Sequence, residues 1–426
     1  MPLANRSLIV RTCILAGLLA LAACGGGSVD VPAPPAPTPA PPVATLQIEP
    51  AAGTTIGTAQ AVNIFAAYKA RSTDAFPAYV TGAQVLWSSS RPDVATVTGD
   101  GVVTGIAAGD TVITLRYLGL SSQIPVRVAG VLITRSLFVP GQGVRGYSVM
   151  VPSGVAAGTT LPVLLSLHGG GGSALIQAST SLLSELAETR KLLVVYLNGT
   201  GAIQTYNAGA CCGSAQTGAV DDVAYVRAVL DDITAHHTID TARVYASGFS
   251  NGGMMAHRLA CEMADRISGI AAVSGASAQF DRSHNVYYSC NPSRPIPILH
   301  VHATNDRNYP FAGGVGAGIS STDFYPVDST IADWIVRNNV APQYTAVSVT
   351  RTTTCYRYAT VANTALPSAP VTLCKVDPPD VYDAANDIVF GGGHSWPGGS
   401  RSPSPSADAP VTDFSVNQYL WSYFGN

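Results

Sequence analysis

Charge is scarce in this chain of 426 residues: only 12% are Asp, Glu, Lys or Arg, against about a quarter in an ordinary globular protein. The formal net charge is −3 and no block of basic residues occurs, which argues against nucleic acid as a partner. No C-x-x-C pair is present, so a zinc ribbon is not expected. The glycine run that begins at Gly169 has no Lys-Ser/Thr after it and is therefore not a phosphate loop. Beyond the first two dozen residues no segment is long and apolar enough to span a membrane. What the chain does have is glycine (42), proline (29) and eight cysteines.

The N-terminus reads as an export signal. Arg6 and Arg11 precede a short apolar core, Cys13 to Ala20, and then Leu21-Ala22-Ala23-Cys24-Gly25. A basic start, an apolar core and small residues before a cleavage point are the pattern of a secretory leader. The core is too short for a comfortable transmembrane helix. Its Leu-Ala-Ala-Cys ending resembles a bacterial lipobox. That resemblance implies a leader of residues 1–23, lipid on Cys24 and attachment to the envelope membrane; the bland alternative is a plain signal peptide. Residues 24–43 are mostly Pro, Ala and Gly with almost no charge, a composition that favours extended, semi-rigid spacers.

With Cys13 in the leader and Cys24 carrying lipid, six cysteines remain: Cys211, Cys212, Cys261, Cys290, Cys355 and Cys374. An even number in an exported chain suggests disulfides rather than metal ligands. Cys355 and Cys374 flank β-rich stretches and would close a local hairpin. Cys211 and Cys212 would then reach separately to Cys261 and Cys290.

Residues 44–129 are rich in β-branched side chains and carry turn signals such as Arg91-Pro92-Asp93 and Gly99-Asp100-Gly101. Short alternating strands, Val94 to Thr98 and Thr111 to Leu115, at this spacing predict an all-β sandwich. Trp87 is expected in its core.

From residue 132 to 426 the pattern changes to apolar strands alternating with helices, which predicts an α/β domain: a mostly parallel sheet covered on both faces. Leu161–Leu167, Leu192–Leu197, Ile270–Val273 and Ile296–His302 read as strands. Val223, Val226, Val229, Leu230 and Ile233 have helical spacing.

Within this part, Arg243 to Ser247 reads as a strand and Met254 to Ala260 as a helix. Gly248-Phe249-Ser250-Asn251-Gly252-Gly253 lies between them. Strand, G-x-S-x-G, helix is the nucleophile-elbow pattern. It makes Ser250 a candidate nucleophile, set at a helix N-terminus that stabilises developing negative charge. A serine nucleophile needs a base and an orienting acid, on this fold in the chain order Ser, Asp or Glu, His. His394, in the loop Gly391-Gly392-Gly393-His394-Ser395-Trp396-Pro397, is the candidate base. His257, His300 and His302 read as structural. Asp306, directly after the strand ending at His302, is the candidate acid, with Asp323 and Asp328 less well placed. Backbone N–H groups of Asn251 and of Gly170, in His168-Gly169-Gly170-Gly171-Gly172, would form the oxyanion hole. His168 is expected to brace that loop.

Two family resemblances follow from these motifs. Leu86-Trp87-Ser88 through Val97, with Gly101 to Gly109, resembles bacterial Ig-like domains of group 2. The segment 132–426 resembles the secreted esterase family of poly(3-hydroxybutyrate) depolymerases and feruloyl esterases. The stretches that carry this are Leu167-His168-Gly169, Tyr206-Asn207-Ala208-Gly209-Ala210-Cys211-Cys212-Gly213, Val220-Asp221-Asp222-Val223, Gly248 to Met255, Asn291 to Pro295 and Gly392 to Gly399. The resemblance implies an α/β-hydrolase fold, a Ser250–His394–Asp306 triad and no metal or cofactor. The family usually has Trp where Tyr206 stands, and the residues around Asp306 also depart from its commoner pattern.

The sequence therefore predicts an exported serine esterase acting on carboxylic esters, polymer-linked ones foremost. Trp396 and Tyr206 are expected in its substrate pocket, and the Ig-like domain is a candidate binder of a polymer or cell-surface component. The alternatives are a surface adhesion protein with an inert hydrolase domain and a serine peptidase of the same fold.

Overall fold

The computed structural model describes residues 85–425 except 107–108, 118–119, 157, 279, 282–285, 319–321, 380, 384–387, 391–392 and 403–406. It also describes the backbone of four earlier strands, Leu46–Glu49 (β1), Thr54–Gly57 (β2), Ala61–Asn63 (β3) and Lys69–Ser72 (β4). The leader, Cys24 and the Pro-rich spacer lie outside the described residues. Among the described residues no helix is long and apolar enough to cross a membrane.

The all-β part continues with Leu86–Ser89 (β5), Ala95–Val97 (β6), Val102–Gly105 (β7), Gly109–Tyr117 (β8) and Leu120–Ala129 (β9). One sheet runs β2-β9-β8-β5 and another β3-β7-β6. Val94, Ala95 and Val103 from one side meet Ile113, Leu115, Ile124, Val126 and Val128 from the other in one buried cluster. Their alternation along each strand follows the two-residue period of the pleat. Trp87 packs half-buried at the margin of this cluster rather than at its centre.

The α/β part is built on one ten-stranded sheet. Its strands are Val131–Val139 (β10), Gly143–Val151 (β11), Leu161–Leu167 (β12), Leu193–Leu197 (β13), Ile239–Phe249 (β14) and Gly269–Val273 (β15). Ile298–Ala303 (β16), Thr345–Ser348 (β17), Thr353–Tyr358 (β18) and Val371–Val376 (β19) complete it. The order is β10-β11-β13-β12-β14-β15-β16-β19-β18-β17. From β13 to β19 every pair is parallel; the pairs beyond, at both edges, are antiparallel.

Helices cover both faces. Ala174–Ser181 (α1), Leu183–Arg190 (α2) and, near the C-terminus, Val416–Phe424 (α7) pack on one. Asp222–His236 (α4), Asn251–Glu262 (α5) and Val327–Arg337 (α6) pack on the other. Gly213–Thr217 (α3) is a short turn of helix. Because both faces are covered, β12, β13, β15 and β16 are buried at every position, which is why these strands read as unbroken apolar runs. Alternate residues of β12 divide accordingly: Val163, Leu165 and Leu167 join the α4–α6 cluster and Leu164 the opposite one. The α4 helix shows the local logic. The Asp221 side chain caps it by accepting from the Ala224 N–H at 2.9 Å, and Val226, Val229, Leu230 and Ile233 line its buried face. A cap of this kind contributes about 1 kcal/mol.

Among the described residues three disulfides occur. Cys355 and Cys374 face each other across the β18–β19 pairing, as a local hairpin closure requires. The other two depart from the expected pairing. Cys261, near the C-terminal end of α5, bonds to Cys290. Cys211 bonds to its neighbour Cys212. The Cα atoms of Cys261 and Cys290 stand 5.1 Å apart, in the favoured range for a bridge, so each takes the partner that Cys211 and Cys212 were expected to use.

Candidate active site

The elbow forms where β14 passes into α5, and its glycines are there for want of space. A Cβ on Gly248 would run into the Gly252 carbonyl, and one on Gly252 into the carbonyls of Leu167 and His168. Ser250 itself has φ 54° and ψ −122°, a conformation that L-residues rarely hold and that concentrates at functional sites. It caps α5 with its backbone and leaves its hydroxyl free to face another partner.

That partner is His394. Its Nε2 stands 3.0 Å from Ser250 Oγ and its Nδ1 2.8 Å from Asp306 Oδ2. Three segments far apart in sequence thus converge: the β14–α5 elbow, the turn after β16 and the loop at 393–399. The loop is tied down closely. A Cβ on Gly393 would strike the Asp306 backbone. The His394 N–H donates to Asp408 Oδ2 at 2.7 Å, and the Phe249 ring lies 4.8 Å from the imidazole. Asp306 is 4% exposed, and its Oδ1 accepts the Tyr309 N–H at 2.8 Å. His302 Nε2 is a further neighbour of its Oδ2, at 3.4 Å.

Electrostatics follow from this packing. Burial by itself would raise the Asp306 carboxyl, but the charge of His394 and hydrogen bonds from His302 and His394 outweigh it and hold it well below the usual carboxylate range. Burial works against a charged His394. The charge and hydrogen bond of Asp306, with the Asp408 charge behind them, prevail and lift it above the ordinary histidine value.

The glycine loop after β12 lies alongside. Among the described residues neither the Gly170 nor the Asn251 N–H donates to a backbone carbonyl in the turns and loops around the site. His168 is a brace: buried, it accepts the Gly199 N–H on Nε2 at 2.9 Å and donates from Nδ1 to the Gly169 carbonyl at 2.7 Å. Burial pushes it down to about 4, so it stays neutral. The Asn251 side chain clamps the neighbouring loop by accepting from the Tyr206 N–H at 2.7 Å and donating to the Tyr206 carbonyl at 3.0 Å. Asp222 holds the same loop through the Asn207 N–H at 2.7 Å and is itself paired with buried Arg145 at 2.9 Å.

The two residues expected in the pocket are buried and hydrogen-bonded to the scaffold. Tyr206 is fully buried, with its hydroxyl donating to the Leu197 carbonyl at 2.8 Å. Trp396 is 4% exposed, and its indole N–H donates to Asn417 Oδ1 at 2.9 Å. Asn417 in turn donates to the Ser181 carbonyl, so Trp396 pins the His394 loop onto α7 and α1. Exposed aliphatic side chains beside the glycine loop come instead from Leu175, at the start of α1, and from Ile203, next to Gly171. Asp323 sits in a short strand and Asp328 pairs with Lys375 on the surface; neither meets His394. Sequence reading missed Asp408, and nothing in Ser406-Ala407-Asp408-Ala409-Pro410 marks it. Among the described residues no group of three or more His, Cys, Asp or Glu side chains could hold a metal ion.

Comparison with known proteins identifies two domains. The phospholipase/carboxylesterase family model matches residues 158–318, and the bacterial Ig-like domain (group 2) model matches 54–116. The chain is 30% identical over 200 residues to feruloyl esterase B of Piromyces equi, covering 46% of this chain and 35% of that protein. It is 33% identical over 162 residues to the bifunctional acetylxylan esterase/xylanase XynS20E of Neocallimastix patriciarum, covering 38% and 21%. With the putative esterase NocK of Nocardia uniformis subsp. tsuyamanensis it shares 29% over 256 residues, covering 58% and 68%. The matched stretch thus spans about a third of the first relative and a fifth of the second. The chain carries an α/β-hydrolase domain, matched by the phospholipase/carboxylesterase family, together with an N-terminal bacterial Ig-like domain of group 2.

Proposed function

We propose that this chain is a carboxylic-ester hydrolase that works through an acyl-enzyme on Ser250. The observation that carries the reading is the hydrogen-bonded line from Ser250 Oγ through His394 to Asp306. As Oγ attacks the ester carbonyl, its proton passes to His394 Nε2. Asp306 keeps the Nδ1 proton in place and stabilises the imidazolium. The Gly170 and Asn251 N–H groups receive the carbonyl oxygen as it becomes an oxyanion; losing one such donor costs about 3 kcal/mol. His394 then returns the proton to the leaving alcohol. A water, deprotonated in turn by His394, attacks the acyl carbonyl, and the acid is released as His394 returns that proton to Ser250 Oγ.

For the substrate we favour esters of hydroxycinnamic or acetic acid on a polysaccharide, supported by the names of the relatives. Export from the cytoplasm is supported by three disulfides, which persist in oxidising compartments. The full chain is assayed on methyl ferulate, acetylated xylan, amorphous polyhydroxybutyrate and a peptide anilide, beside Ser250→Ala. Release of ferulate or acetate that Ser250→Ala abolishes is the expected result. Cleavage of the anilide or the polyester alone would overturn the substrate reading. Equal turnover by wild type and Ser250→Ala would overturn the mechanism.

A further inference from the structure

Behind the triad runs a second line of hydrogen bonds that the mechanism above does not use. It starts at Trp334 on α6, whose indole Nε1 donates to His257 Nδ1 at 3.0 Å. His257, on α5, lies with Nε2 3.2 Å from His300 Nδ1. His300 Nε2 is 3.1 Å from His302 Nδ1, both on β16. His302 Nε2 ends the line, 2.9 Å from the Tyr309 carbonyl and 3.4 Å from Asp306 Oδ2. All four side chains are at most 1% exposed.

The two ends determine the state of every ring between them. An indole N–H can only donate and a carbonyl can only accept. Nδ1 of His257 must therefore be the acceptor, and its proton must sit on Nε2. The same then holds for His300 and for His302. Each ring uses one nitrogen to accept and one to donate, so all three are neutral and all direct their N–H along the line toward the Tyr309 carbonyl, beside Asp306. Burial agrees, pushing the His257 imidazole down to about 3 and His300 well below the ordinary value.

Three rings in this place are costly. Aliphatic side chains would fill the volume without burying polar atoms that must then be satisfied. What aliphatic residues cannot supply is a donor directed at the Tyr309 carbonyl, in the turn whose N–H holds the triad acid. The line also ties α5, the helix that begins beneath Ser250, to the loop that carries Asp306.

We infer that Trp334, His257, His300 and His302 form one neutral, unidirectional hydrogen-bond chain, and that His302 at its end is a positioning residue for Asp306 and, through it, for His394. Asp306 Oδ1 is held by the Tyr309 N–H and Oδ2 by His394; the His302 N–H fixes the Tyr309 peptide through its carbonyl and stands 3.4 Å from Oδ2, so it keeps the carboxylate turned toward the imidazole. The inference rests on the acyl-enzyme reading above for its kinetic consequence only.

The test uses His302→Leu, which removes the donor, His302→Gln, which keeps one, and Trp334→Phe, which unpins the far end. Two readouts are taken on each full-length variant: steady-state kinetics on an ester the wild type hydrolyses, and the low-field proton resonance of the His394 Nδ1–H in the absence of substrate. His302→Leu is expected to lower kcat about 10- to 100-fold, as loss of a residue that orients a reacting group does. KM should stay within about twofold, the mark of an interaction needed in the transition state. The resonance should move in His302→Leu and Trp334→Phe and return in His302→Gln along with most of kcat. Wild-type kcat and resonance in both His302→Leu and Trp334→Phe would overturn the inference. So would a His302→Gln variant as impaired as His302→Leu, since that marks a packing role. If His302→Leu does not fold, an unmoved resonance in Trp334→Phe overturns it alone. Failure of the esterase reading is separate: it shows as equal turnover by wild type and Ser250→Ala, while the resonance still reports on the chain.

Discussion

His394 Nδ1 lies 2.8 Å from Asp306 Oδ2 although 88 residues separate the two in the chain. Neither element holds the contact alone. The turn after β16 presents the carboxylate, with the Tyr309 N–H on its other oxygen. Asp408 and Trp396 hold the histidine loop against it.

Ser250→Ala should remove esterase turnover while leaving the thermal melt nearly unchanged, because the hydroxyl contributes little packing at an elbow. A hydrolysis assay on p-nitrophenyl acetate and a melting curve check this. Retention of more than about a tenth of the wild-type rate would be too much for a triad nucleophile.

The pH profile follows from the His394 pair. The base must be neutral to accept a proton, so activity rises with pH through the His394 pKa. The side chain alone would place that rise near about 6.5; Asp306 and Asp408 move it higher. Asp408→Asn should shift the rise back toward lower pH, as one stabilising charge is lost. In stability the signs differ. The depressed Asp306 carboxyl stabilises the fold above about pH 4, and this is lost as pH falls through its lower native value. The raised His394 contributes below about pH 6.5 and is lost as pH rises through its native value. The two are one interaction, greatest between those limits. A rate profile flat from pH 5 to 8 would contradict the assignment of the base.

Digestion without reductant should link the Cys261 peptide to the Cys290 peptide and the Cys355 peptide to the Cys374 peptide. Cys211 and Cys212 should appear in one unlinked peptide lacking its thiol hydrogens. A cross-link from either of them to Cys261 or Cys290 would contradict the pairing. Cys290→Ala should cost about 2–5 kcal/mol in denaturant unfolding.

Trp396→Ala should lower activity on methyl ferulate and on a short aliphatic ester by the same factor, since the buried ring pins the His394 loop. It should also destabilise by about 3–5 kcal/mol, the usual cost of removing a buried aromatic. Ile203→Ala, at the exposed rim of the glycine loop, should change the ratio between the two esters by about 1–3 kcal/mol in relative specificity with little effect on the melt. The reverse pattern in kcat/KM would return Trp396 to the pocket.

How much of this was legible in advance depended on whether the signal was local. The elbow was legible because Gly248 answers to the Gly252 carbonyl four residues on, a contact within the motif itself, although Gly252 answers to the remote carbonyls of Leu167 and His168. The buried strands were legible because burial on both faces leaves an unbroken apolar run, and α4 because its cap and its buried stripe lie in consecutive turns. His394 and Asp306 could be named because glycine-rich and strand-end positions mark loops that carry function.

The tertiary structure alone decided what depends on distance between remote segments. Cys211 has Cys212 as its partner because Cys290 stands at the end of α5 beside Cys261, and no spacing rule encodes that neighbour. Tyr206 and Trp396 have the side chains of pocket residues, but helices and strands from elsewhere bury them. Asp408 has no local mark at all; it matters because its loop returns to the His394 N–H. His257, His300 and His302 each read as structural in isolation. Their line toward Asp306 exists only because α5, α6 and β16 pack so that one donor meets the next acceptor. By itself the sequence determined the period of the elements and the residue types of the chemistry, since those are set by neighbours along the chain. The orientation of each group toward its partner was left to packing, since it is set by neighbours in space.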